Sequence, residues 1–279
     1  MNFDTAGFAR FDNHSVHFAD EILSKTRFQG TLTEDDQVLE VGCGTGHFAR
    51  RFLLTRSKPC RRIVATDFDP AMIDFAREHY SHEDIAYEIL DIVTSNLTPF
   101  LERHGTFDRV LCFCVFHMIQ DQRAAYANVA KLLKDHGECL VVAFSSLDTM
   151  DVWRDVYKTP KWKGRIPDPQ RVFNTSINYN RVKSASQVEA EVRDALRETG
   201  LHCLSCEVRD SSWKFDSMET LLDKHMSILP FKAIVPIEEW ADFRDLWEEL
   251  LYRQLSPTQG RPVALKFTYY VVHARRSMD

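Results

Sequence analysis

Short apolar runs rich in β-branched residues alternate with helical patterns through the first half of the chain. Gln37 to Val41 reads as a buried strand, followed by a glycine turn and a helix through about Leu54. Arg62 to Thr66 is a second strand and Pro70 to Tyr80 a second helix. Pro70 suits a first helical position, and Met72, Phe75, Ala76 and His79 share one face. Ala86 to Leu90 and Asp108 to Val115 are the third and fourth strands, Arg123 to Leu133 is a helix, and Cys139 to Phe144 is a fifth strand. Strands alternating with helices predict βαβ units and a parallel, doubly wound sheet.

Beyond Phe144 the rhythm changes. Asp151 to Tyr157 is helical, and Lys158 to Pro169 is a loop with three prolines and a glycine. Gln187 to Thr199 is an amphipathic helix, with Gly200 as its C′ residue. Leu201 to Val208 alternates as a strand, Met218 to Ile228 and Glu238 to Leu255 are helices, and Val263 to His273 is a last strand. Two strands enclosing helices predict a cap built onto the same sheet. The expected layout is a helical lid over 1–34, an α/β core over 35–145, and cap insertions with the last strands over 146–279.

Composition narrows the class. With 44% hydrophobic and 27% charged residues in 279, disordered and fibrous chains are excluded. Thirty-five basic against 41 acidic residues give −6, with no basic stripe, so nucleic acid is not an expected partner. Apolar runs such as Leu140 to Phe144 fall far short of the roughly 18 residues that span a bilayer, so no membrane partner is expected. The N-terminal stretch carries acids early and has no apolar run of signal type. Seven scattered cysteines point to free thiols in a reducing compartment, and so to a cytoplasmic protein. Cys112 and Cys114 are expected on one face of the fourth strand. Cys203 and Cys206 should point to opposite faces of theirs, so no metal site is expected.

The most informative segment is Glu40-Val41-Gly42-Cys43-Gly44-Thr45-Gly46, at the exit of the first strand. Glycines at alternate positions permit a sharp turn and close ligand approach, and the helix that follows offers free N–H groups. The spacing is G-x-G-x-G, not the dinucleotide G-x-G-x-x-G, which disfavours a nicotinamide-dependent oxidoreductase. Glu40 would serve a pyrophosphate poorly and a cation well. That favours S-adenosylmethionine (SAM), which carries an ammonium and a sulfonium. Asp67 closes the second strand, 25 positions after Gly42, where a carboxylate can accept both ribose hydroxyls. Asp91 follows the third strand, within reach of an adenine amino group, and Phe68, Met72 and Ile92 could face the base.

Glu40 to Gly46, then Ala65-Thr66-Asp67-Phe68-Asp69-Pro70-Ala71-Met72, Leu90-Asp91-Ile92 and Phe107 to Cys112 together resemble class I SAM-dependent methyltransferases over about 35–145. The resemblance implies a seven-stranded Rossmann-like sheet with a helical substrate cap, and it extends the cofactor set to Cys43 and Cys112. Phe116-His117-Met118-Ile119-Gln120-Asp121-Gln122, Asp151 to Arg154, and Lys158 to Trp162 resemble juvenile hormone acid O-methyltransferases. Proteins of that family methylate the carboxylate of farnesoic or juvenile hormone acid, which implies a small apolar carboxylic acid as substrate. Met118 stands where the family commonly has tryptophan, Cys114 where it often has tyrosine, and Asn13 to His17 contains no glutamine.

Methyl transfer is an in-line displacement in which alignment can contribute roughly 7–11 kcal/mol. A carboxylic acid, with a pKa of about 4–5, is already ionised at pH 7 and needs no general base. His117, after the fourth strand, is the residue expected to orient an acceptor oxygen. His14, His17, Phe116, Met118 and Trp153 are the other expected substrate contacts. Phe8, Phe11, Trp162, Trp213 and Phe231 are further aromatic candidates for an apolar pocket. Two alternatives stay open on the residues alone: methylation of an amine or hydroxyl, and SAM binding without turnover.

Overall fold

The computed structural model describes residues 4–229, 234–255 and 262–277. Strands β1 (Gln37–Val41), β2 (Arg62–Asp67), β3 (Ile85–Ile89), β4 (Phe107–Phe113), β5 (Leu133–Leu147), β6 (Leu201–Phe215) and β7 (Val263–Arg276) form one sheet in the order β3-β2-β1-β4-β5-β7-β6. The first five pair in parallel, and β7 runs antiparallel to both β5 and β6. All five residues of β1 are buried, as expected for a strand covered on both faces.

The helices are α1 (Thr5–Phe11), α2 (Asn13–Lys25), α3 (Leu54–Arg56, continuing a π-turn over Ala49–Leu53), α4 (Pro70–His79), α5 (Thr98–His104), α6 (Gln122–Leu132), α7 (Asp148–Lys158), α8 (Pro169–Val172), α9 (Ala185–Leu196), α10 (Met218–Ile228) and α11 (Trp240–Leu255). Several starts are set by side chains that satisfy otherwise orphaned amides: Asp69 caps α4 ahead of Pro70, Asp121 caps α6, and Ser217 caps α10. Ser184 and Gln187 form a capping box on α9.

Alternation along the strands sends side chains into two apolar clusters. Val38, Ile63, Leu111 and Leu140 face one, and Leu39, Val64, Val110 and Val141 the other. Helices α6 and α9 cover the second cluster. Helices α2, α7, α10 and α11 all pack into the first, together with Trp153, Trp162, Trp213 and Trp247. These four tryptophans thus thicken the layer on one face of the sheet, while α9 covers the other.

Several local expectations are corrected. The buried stripe of α4 is Met72, Ile73 and Ala76, whereas His79 is exposed and lies tilted against the half-buried Phe75 at 4.1 Å. Helix α9 stops at Leu196, and Gly200 (φ +81°) turns the chain into β6 instead of capping the helix. Cys112 and Cys114 do not share a face. β4 ends at Phe113 and Cys114 sits at φ +57°, so Cys112 packs into the second cluster and Cys114 against the first. Cys203 and Cys206 do share one, because an irregularity in the β6–β7 register between Cys203 and Ser205 shifts the alternation and brings both against the second cluster.

Gly46 carries a consequence for stability. A Cβ there would lie 2.8 Å from the Ala76 Cβ and from the Tyr87 ring, and the backbone is at φ +83°. Gly46→Ala is expected to destabilise by about 3 kcal/mol, combining overpacking with left-handed strain. Chemical denaturation checks this, and a change below about 1 kcal/mol would contradict it.

Candidate active site

The site begins where the chain leaves β1. The Thr66 carbonyl accepts both the Gly42 amide at 2.7 Å and the Cys43 amide at 2.8 Å. The Gly44 amide donates to Asp67 Oδ2 at 2.9 Å, and the Asp69 amide to Asp67 Oδ1 at 3.0 Å. Gly42, Gly44 and Gly46 all have positive φ, but their surroundings differ. A Cβ on Gly42 would fall 2.0 Å from Val115, and Gly46 is closed by its own neighbours. Gly44 would meet only the edge of Phe8, at 3.4 Å. Two glycines are therefore required by packing, and Gly44 is the one that faces open space.

That space is a cavity of about 1190 Å³, mouth included. Its floor is Glu40, Gly42, Cys43, Gly44 and Thr45. Its far wall is apolar: Phe113, Phe144, Leu147, Met150, Trp153 and Phe173. The N-terminal helices close one side through Phe8, Asp12, Ser15, Val16 and Ala19. Asp12, at the α1–α2 junction, fastens them to the turn, accepting from Thr45 Oγ1 at 3.1 Å and pairing with His47 Nδ1 at 2.9 Å.

Two oppositely charged side-chain types, one carboxyl and one amine, line the cavity with no hydrogen-bond partner among the described residues. Glu40 Oε2 is one, and Lys224 Nζ, reaching in from α10, is the other. Burial, aided by the nearby Asp67, pushes the Glu40 carboxyl up to about 8. Burial pushes the Lys224 ammonium down to about 8. Asp67 is also raised by burial, although the Asp69 and Gly44 amides act in the opposite sense. His117 is buried with Nδ1 unpartnered, and desolvation lowers it to about 3, so its imidazole is neutral near pH 7. Its ring lies edge-on to Phe144 at 5.1 Å.

Of the residues expected from sequence, Glu40, Gly42, Cys43, Gly44, His117, Met118, Trp153, Phe8 and Trp213 line this cavity. Asp67 stands beside the turn and grips it. Phe68 is 44% exposed, and Asp91 is exposed with Oδ1 accepting the Val93 amide, both at the open C-terminal ends of β2 and β3. Met72 is buried, and Ile92 belongs to the second cluster. Cys112 is fully buried on that same opposite side and does not reach the cavity. Phe116 is likewise displaced: a 3₁₀ turn over Phe116–Met118 swings it onto Tyr126 at 4.7 Å while turning His117 inward. His14 lies tilted against Phe215 at 4.5 Å with Nε2 on the Lys214 carbonyl, and His17 is exposed against Phe52. Neither lines the cavity. Phe11 does not reach it, Trp162 is buried against Phe243, and Phe231 lies outside the described residues. Asp12 and Lys224 were not anticipated. An isolated lysine in a charged helical pattern carries no sign that it will be buried.

The donor set suits SAM. A carboxyl buried without a partner at Glu40 is matched by an ammonium, and open space above Gly44 admits a backbone-hugging ligand. Asp67 keeps lone pairs free for hydroxyls beyond the two amides it accepts. Among the described residues no three His, Cys, Asp or Glu side chains gather as metal ligands, and no helix is long and apolar enough to cross a membrane.

The chain is similar to known methyltransferases. A methyltransferase-domain family model matches residues 39–139. Juvenile hormone acid O-methyltransferase of Bombyx mori is 27% identical over 246 residues, covering 86% of this chain and 85% of the relative. The protein of the same name from Drosophila melanogaster is 28% identical over 251 residues, covering 88% and 82%. Among solved structures, the Bacillus halodurans protein BH2331 aligns with a TM-score of 0.56 at 17% identity, covering 94% of this chain and 99% of its own. The Bacillus subtilis protein YcgJ gives 0.55 at 14%, covering 96% and 100%. These two likenesses concern the fold.

The Glu40 carboxyl sets a pH dependence. Between about 4.5 and 8 the folded protein holds a proton here that the unfolded chain has released, so this group's contribution to stability is lost as pH rises through about 8. A bound ammonium favours the ionised form, so binding expels that proton. SAM affinity is expected to rise between pH 5 and 7, by up to about tenfold per unit, and Glu40→Gln should remove the slope. Calorimetric titration at several pH values checks this, and an unchanged slope in the variant would remove Glu40 from the site.

Asp67→Ala should weaken SAM by roughly 1.5–3 kcal/mol, the scale of charge-assisted hydrogen bonds. Gly44→Val should abolish binding, since a branched side chain would fill the approach at φ +53°. Unchanged affinity in a folded Asp67→Ala protein would exclude that carboxylate.

Proposed function

We propose that this chain, a class I SAM-dependent methyltransferase, methylates the carboxylate of a small apolar acid of farnesoic or juvenile hormone acid type. SAM, when bound, supplies an electrophilic methyl group. Glu40, Gly44 and Asp67 would hold it, and the apolar wall from Phe113 to Phe173 would take the acceptor's hydrocarbon tail.

His117 is the observation that carries the acceptor class. With a pKa near 3, its imidazole is far too weak a base to take a proton from a hydroxyl or an ammonium at neutral pH. It can still make a hydrogen bond and orient an oxygen. A carboxylate brings its own negative charge and asks for nothing more. The other cavity imidazole, His47, has Nδ1 engaged by Asp12. Two relatives named for acid O-methylation, each similar over most of both chains, support the same reading.

The test is labelled SAM against acids of graded length. Transfer efficiency should rise with tail length until the wall is covered, by at most about 0.8 kcal/mol per buried methylene. His117→Ala should lower kcat more than it raises KM, because the lost hydrogen bond orients the attacking oxygen. Met118 is a flexible thioether on the cavity wall, so Met118→Trp should sharpen selectivity toward farnesoic-type acids. A response flat in tail length, with amines or phenols preferred, would overturn the carboxylate reading.

A further inference from the structure

Lys224 is the cavity charge that the cofactor does not explain. It sits on α10 at 3% exposure, and Nζ has no hydrogen-bond partner among the described residues. Its ammonium lies 4.2 Å from the Trp213 ring centroid and 5.6 Å from that of Phe215, both on β6. Two aromatic faces offset part of the desolvation cost of a buried cation and accept no proton from it.

The groups around it offer no counter-ion in contact. Asp12, at the α1–α2 junction, already spends its two oxygens on Thr45 and His47. Cys114, after β4, is held as a thiol by burial, which pushes it up to about 12. His14 of α2 is lowered by burial and by Lys224 itself. His225, next to it on α10, is lowered to about 3 by burial and accepts from Trp247 of α11. A buried ammonium in such surroundings is costly unless something anionic joins it.

We infer that Lys224 holds the carboxylate of the acceptor, pairing with it directly inside the cavity. This assignment rests on the carboxylate reading above and gives that reading its anchor. A cationic cofactor and a cationic lysine opening into one cavity repel each other, and a carboxylate between them relieves both. The same cation disfavours ammonium acceptors, which gives selectivity by repulsion.

Charge also says when the pairing acts. In the transfer an O–C bond forms as the S–C bond breaks, the electron pair of the latter stays on sulfur, and no proton is released. The acceptor goes from anion to neutral ester. Lys224 therefore favours the bound acid over both transition state and product. Its loss should appear in KM and acid affinity rather than in kcat, and the ester should leave readily.

The experiment titrates a saturated fatty acid, and separately the primary alcohol of equal length, into the full chain by calorimetry. Wild type, Lys224→Met and Lys224→Arg are compared, alongside turnover with labelled SAM. Lys224→Met should weaken the acid by about 10- to 100-fold while leaving the alcohol unchanged, and should raise KM without lowering kcat. The ligand-free variant should melt higher than wild type, because an unpaired buried charge is gone. Acid binding by wild type should fall above about pH 8 as the ammonium is lost, and Lys224→Arg should carry it to higher pH.

Unchanged acid affinity in Lys224→Met, with wild type methylating acids normally, would overturn the anchor and leave the carboxylate reading standing. A variant that melts lower and loses acid and alcohol alike would assign Lys224 to holding the fold instead. Wild type that neither binds nor methylates any acid would overturn the carboxylate reading and the anchor together.

Discussion

The Thr66 carbonyl at the end of β2 accepts two amides, Gly42 at 2.7 Å and Cys43 at 2.8 Å, from the turn that leaves β1. With the Gly44 amide on Asp67 Oδ2, three successive N–H groups of the turn are tied to one neighbouring strand. That bond set decides which way the chain bends. It buries Glu40 beneath the cavity, opens the space above Gly44, and presents Thr45 and His47 to Asp12. Those two partners fasten the N-terminal helices to the turn, in addition to the burial of α2 in the first cluster. Displacing the turn would undo the floor and the side wall of the cavity together.

The cavity built on that turn is apolar, with a small number of costly charges left open to it. Proteins bury unpaired charges rarely, because desolvation outweighs anything short of a good partner. Glu40 and Lys224 are of opposite sign, and each is shifted by burial toward its neutral form. The chemistry they suit is complementary: a cationic cofactor satisfies the acid, and an anionic acceptor satisfies the base. The neutral His117 fits the same scheme, since an acceptor that arrives ionised needs orientation and no proton removal. Binding both ligands would leave the interior better paired than it is without them.

Local sequence determined a large part of this protein. The strand–helix rhythm to Phe144 located β1 to β5, because buried parallel strands read as short apolar runs, as the fully buried β1 shows, even though the edge strand β3 is only partly buried. The doubly wound class and the glycine turn followed from patterns spanning a few residues each, and the seven-stranded sheet from the family resemblance those motifs carry. SAM as the cofactor was legible for the same reason, since Glu40, the glycines and Asp67 lie at strand ends set by that rhythm, and methyl transfer came from the resemblance those motifs carry.

What only the tertiary structure decided lies where a single residue changes face. Phe116 and His117 are neighbours, and the direction of one 3₁₀ turn sends the first into the opposite core and the second into the cavity. Cys112 and Cys114 part because the strand stops between them, and Cys203 and Cys206 meet because the register slips between them. Periodicity presumes regular geometry and is silent about its interruptions. Lys224 and Asp12 were beyond reach for a different reason. Their environment comes from β4, β6 and the glycine turn, far away in the chain, and a side chain's burial and charge state belong to the neighbours that folding gathers around it.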